Sequence, residues 1–129
     1  MGAMWMKILL VGLGGSAGAI ARFLLSGAVY QLSGNHWFPF GALLVNLVGC
    51  LAIGLIMGLI QERELLSPEL SLFLLVGVLG SFTTFSTFGF ESIELFKESH
   101  PTMGLLNIGA HVFLGLLGVW AGLTLARAL

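Results

Sequence analysis

VGVLGSFTTFSTFGFE, Val76 to Glu91, is a polar island in an apolar chain: it carries Ser81, Thr83, Thr84, Ser86, Thr87 and Glu91. Glycine weakens a helix by roughly 1 kcal/mol relative to alanine, and β-branched threonine is also a weak helix former. With Gly77 and Gly80 ahead of the cluster, the stretch predicts a membrane helix that breaks between Gly80 and Thr84. A break in hydrocarbon strands backbone groups without partners and is tolerated only inside protein or beside a wet cavity. The break therefore marks the middle of an assembly. Beyond it, helical spacing puts Thr84, Thr87 and Glu91 on one stripe and Phe85 with Phe88 on the adjoining face. Two readings stay open from these residues: a polar path, or hydroxyls bonded back to their own helix beside packed rings.

The rest of the chain supplies the membrane context. It has 129 residues, 57% hydrophobic and 9% charged, with a mean hydropathy of +1.04. At about 20 residues per crossing there is room for four helices and little else. Four spans are predicted, over about Trp5 to Tyr30, Phe40 to Ile60, Glu69 to Glu98 and Thr102 to Ala128, in a single domain, 1–129. The fold class expected is an all-α membrane protein, multi-pass in the plasma membrane. A formal net charge of −1 excludes a strong basic field for nucleic acid. No nucleophile–base pair, metal cluster or phosphate loop is apparent, so no enzyme is expected.

In the first span, GLGGSAGA, Gly12 to Ala19, superficially matches a dinucleotide-binding fingerprint, but lacks the strand and acidic residue that motif needs. Its pairs Gly14 with Gly18 and Gly15 with Ala19 read instead as close helix packing. Arg22 faces either protein and water or the headgroups. Ser33 to Pro39 is a loop in which Asn35, His36 and Trp37 are interface residues, His36 being solvated. Asn46, in the second span, is helix–helix glue or a ligand-facing group. Ser67-Pro68-Glu69 is a helix start. In the fourth span, Asn107 and His111 share a face, suited to interhelical hydrogen bonds, and Gly109, Gly115, Gly118 and Gly122 form a smooth contact face.

GSFTTFSTFGFE resembles the signature of the Fluc, or CrcB, fluoride channels: Gly-x-x-Thr-Thr-Phe-Ser-Thr-Phe with a glutamate three residues on. GxGGxxGAxxR from Gly12 to Arg22 and GxLxxNLxG from Gly41 to Gly49 extend the resemblance over essentially the whole chain. It implies a fluoride-selective channel that lets fluoride leave the cytoplasm passively and confers fluoride resistance. It also implies an antiparallel, dual-topology homodimer with two pores at the shared interface. The ion pathway then comprises Asn46, Phe85, Phe88, Thr84, Ser86, Thr87 and Glu91, with Arg22 structural. A sodium ion at the dimer centre is held by the backbone carbonyls of Gly80 and Thr83. The inventory itself, rich in neutral donors, suits a small anion stripped of water. Aromatic edges carry partial positive charge, so the phenylalanines can face an anion. Four departures stand out: Ala42 and Gly115 where the family often has Ser or Thr, and Ser81 and Phe82 where Gly and Leu are commoner. The alternative is a small four-helix multidrug-type transporter, which needs a first-helix carboxylate where this chain has Arg22.

Overall fold

The structure, a computed structural model, describes residues 1–34 and 37–129. Asn35 and His36, expected in a loop, lie outside the described residues. Four helices are long and apolar enough to cross a membrane: α1 (Gly2–Ser33), α2 (Phe40–Arg63), α3 (Pro68–Lys97) and α4 (Pro101–Ala128). No strand occurs among the described residues. The molecule is a multi-pass integral membrane protein.

Local chemistry sets the helix ends. α1 runs past its expected limits to Gly34, whose φ of 60° lies in the left-handed region that glycine enters without steric cost. α3 starts as predicted: the Ser67 hydroxyl accepts from the Leu70 N–H at 3.1 Å, and Pro68 takes the first turn, where its missing N–H costs nothing.

Small residues let the backbones close. α1 lies on the first half of α3, where Gly14 and Gly18 meet the main chain around Phe73, Gly77 and Val78; a Cβ added at Gly14 would sit 3.0 Å from the Gly77 Cα. α2 lies on the last turns of α4, with Gly54 against Val119 and Gly122 against the main chain of Leu51, Gly54 and Leu55. Lipid supplies no hydrophobic drive between helices, so this contact, made by dispersion at short range, is what joins them. Gly109 departs from the predicted contact face: among the described residues, nothing lies within 4 Å of where a Cβ would stand. A polar tie joins the second half of α3 to the first half of α4. Asn107, fully buried, donates from Nδ2 to the Ser92 hydroxyl at 2.9 Å, which donates to the Phe88 carbonyl at 2.7 Å.

α3 is broken, but not at its glycine. Gly80 is helical, with φ −62° and ψ −29°. The chain extends at Thr83 (φ −81°, ψ 153°) and Thr84 (φ −146°, ψ 116°), and helix resumes over Phe85–Lys97. The expected range is corrected to its last two residues. Glycine lowers helix stability without preventing helix, whereas β-branched threonines are at ease in extended backbone. Leu72–Leu79 and Ala110–Leu114 are π-helical, a geometry found often at functional sites.

Candidate functional site at the broken helix

Two side chains hold the break open. Asn46 of α2 clamps Thr84: its Oδ1 accepts from the Thr84 N–H at 2.8 Å and its Nδ2 donates to the Thr84 carbonyl at 3.1 Å. Because the Thr84 N–H can only donate, the amide oxygen must face it, and the orientation of Asn46 is settled. One of its two Nδ2 hydrogens is used and the other is left for a further acceptor. Thr84 in turn caps the resumed helix, its hydroxyl accepting from the Thr87 N–H at 3.2 Å. That hydroxyl donates to Thr87 Oγ1 at 3.1 Å and pairs with Ser86 Oγ at 3.2 Å. With the Thr84 hydrogen spent on Thr87, Ser86 is the donor in the second pair, and the Thr87 hydroxyl hydrogen remains to be given.

The same bonds strip two carbonyls of their helical partners. The Gly80 carbonyl would ordinarily accept from the Thr84 N–H, now turned to Asn46; the Thr83 carbonyl would accept from the Thr87 N–H, now turned to Thr84 Oγ1. Two hard oxygen donors thus stand at the middle of a membrane span, and Gly80 is exposed on the surface of the protomer.

Two cavities flank the break and a third lies beyond it along α3. The first, about 420 Å³, is lined by Asn46, Thr83, Thr84, Phe85, Phe88 and His111 together with Gly80, Cys50 and apolar side chains. The Phe85 and Phe88 rings lie 5.4 Å apart and tilted by 57°, as their spacing predicts. The second, about 540 Å³, brings Arg22 of α1 together with Thr84 and Thr87. Thr84 lines both. The third, about 250 Å³, holds Glu91, Glu94 and Glu98 among Ser26, Tyr30 and Phe40. Glu91 therefore shares the helical stripe of Thr84 and Thr87 but not their cavities. Arg22 has no ion-pair partner among the described residues; the ion pairs found are Lys97 with Glu94 at 2.9 Å and Arg127 with Glu62 at 3.3 Å.

Some neighbours were not anticipated. Cys50 lies beside Gly115, where an added Cβ would stand 3.4 Å from its sulfur. His111 packs against Phe88, ring centroids 4.4 Å apart and tilted by 41°, and bonds the carbonyl of Asn107 one turn back in its own helix, at 3.0 Å, rather than a neighbouring helix. Among the described residues no group of three or more His, Cys, Asp or Glu side chains could hold a metal ion.

A family model described as "CrcB-like protein, Camphor Resistance (CrcB)" matches residues 9–123. Among similar proteins, the fluoride-specific ion channel FluC of Geobacter sulfurreducens is 46% identical over 122 residues, covering 95% of this chain and 98% of its own. The FluC of Maridesulfovibrio salexigens is 44% identical over 121 residues, 94% of this chain and 95% of its own. That of Nitrosococcus oceani is 37% identical over 124 residues, 96% and 98%.

Proposed function

The chain belongs to the CrcB family, and from that premise we propose that it is a fluoride channel which lets the ion leave the cytoplasm passively, along the polar groups of the broken third helix. The observation that carries the reading is the Asn46–Thr84 clamp, which leaves neutral donors on both sides of Thr84 in a span otherwise built to face hydrocarbon. The remaining Asn46 Nδ2 hydrogen and the Thr87 hydroxyl can each donate to a small anion, while the edges of Phe85 and Phe88 offer weak positive charge and exclude bulk water. Arg22, lining the cavity with Thr87, attracts anions toward it. The multidrug-type alternative is not favoured: the relatives are named as fluoride channels, and α1 carries no acid. Proteoliposomes containing the protein are expected to empty fluoride and retain chloride. A well-folded preparation that releases neither, or both alike, contradicts the proposal.

The working unit is an antiparallel homodimer. Gly80 and Ser86 are exposed on the protomer, and Phe85 is 82% exposed, so lipid would face the backbone bordering the break and a hydroxyl at mid-membrane. Such groups are found where protein or a cavity covers them, and a second copy supplies the cover. A structural sodium ion fits the centre of that dimer. The Gly80 and Thr83 carbonyls of the two copies would hold it: they are uncharged, hard oxygens released from helical bonding, which suit a monovalent hard cation better than calcium, a carboxylate-seeking ion. When bound, it balances the carbonyl dipoles and fastens the protomers together. Prolonged exchange of sodium for a large organic cation is expected to reduce fluoride flux and loosen the dimer. Unchanged flux with an intact dimer after exchange would count against the ion.

A further inference from the structure

We propose that His111 is a proton-dependent fluoride donor in the cavity of Asn46, Phe85 and Phe88, an assignment that rests on the channel reading and adds a residue to its path. The geometry fixes the neutral ring. Its Nδ1 lies 3.0 Å from the Asn107 carbonyl, and a carbonyl can only accept, so Nδ1 carries the hydrogen. Nε2 is then a bare lone pair. It is buried and has no hydrogen-bond partner among the described residues, on a side chain that lines the cavity and packs against Phe88. A bare acceptor beside an anion path repels the ion. Taking one proton from water turns the same atom into an N–H donor and adds a positive charge, with the Nδ1 bond to Asn107 unchanged.

The surroundings leave His111 as the group that makes this switch. From α2 the cavity receives Asn46 and Cys50, and from α3 Thr83, Thr84, Phe85 and Phe88, of which Cys50 alone is titratable; a thiolate formed toward alkaline pH would also lower fluoride current there, but a thiol never becomes a cationic donor, and the His111 variants separate the two. The carboxylates Glu91 and Glu94 line a different cavity, and Arg22 of α1 another. The neutral path of the clamp conducts without His111; protonation adds to it.

The test is fluoride current in planar bilayers, where electroneutral passage of HF contributes nothing. Between about pH 8 and about pH 5.5, bracketing the ordinary histidine range, current through the parent is expected to rise about tenfold, the effect of one added charge-assisted hydrogen bond. His111→Ser and His111→Gln keep a neutral donor and are expected to conduct with a flat pH profile. A flat profile in the parent, or the parent's profile in both variants, overturns the assignment and leaves the channel standing. No fluoride current from the parent at any pH overturns the channel reading as well.

Discussion

Asn46→Asp is expected to cut fluoride current by about 100-fold or more while the protein still purifies as a membrane-inserted species. One carboxylate oxygen can still accept from the Thr84 N–H, as Oδ1 does now at 2.8 Å. The other replaces a donor and faces the Thr84 carbonyl, which Nδ2 now bonds at 3.1 Å. Acceptor meets acceptor, and the free hydrogen that would meet fluoride is gone. A negative charge then stands on the anion's path. Leaving a polar group of this part-buried clamp unpaired costs about 1–3 kcal/mol, more when a charge is involved, and each 1.4 kcal/mol is about tenfold in an equilibrium. Asn46→Ala separates the two contributions. It adds no charge but orphans the Thr84 N–H and carbonyl, at about 1–3 kcal/mol each, so it should weaken the fold more than it repels the ion. Single-channel recording with a size-exclusion profile measures both. An Asn46→Asp protein that conducts like the parent would remove Asn46 from the path.

Locking the membrane orientation is expected to abolish fluoride resistance altogether. Four crossings put the termini and the α2–α3 connection on one side, with Lys7, Arg63 and Arg127, and leave Lys97 for the other, joined by Arg22 if its side chain reaches that interface. Orientation follows the lysine and arginine bias near helix ends, and three against two gives almost none. Arg127 is in addition paired with Glu62. So weak a bias is what the proposed antiparallel pair, which needs insertion in both orientations, would require. Lysines added at the termini and middle loop fix one orientation, and lysines in the other two loops fix the reverse. Either locked form alone should fail to protect a fluoride-sensitive cell, and co-expression should restore protection. Full protection by one locked form alone would rule out the antiparallel arrangement.

The spans were legible because each is a run of apolar residues long enough to cross a bilayer, and the Ser67-Pro68 start because its cap is local. That α3 breaks was legible too, from the clustering of threonines after Gly80. Where it breaks was not. The bonds that open the backbone at Thr84 come from Asn46, 38 residues away, and no local propensity encodes them. Glu91 illustrates the same limit: helical period assigns it to the stripe of Thr84 and Thr87, yet α1 and residues 37–41 wall it into a separate cavity. His111 was legible as a polar residue on a shared face with Asn107. Its contact with Phe88 and its unpartnered Nε2 depend on how α4 meets α3. The departure at Gly115 also reads differently in three dimensions, since the Cys50 sulfur stands against the surface that a side chain there would fill.

Whether neutral donors around the clamp select fluoride is tested most directly by the reversal potential across a bilayer with fluoride salt on one side and chloride salt on the other. A large potential is predicted, of the sign that drives fluoride and close to the limit for a membrane permeable to fluoride alone. A reversal potential near zero, meaning that chloride passes as readily as fluoride, would contradict that selectivity.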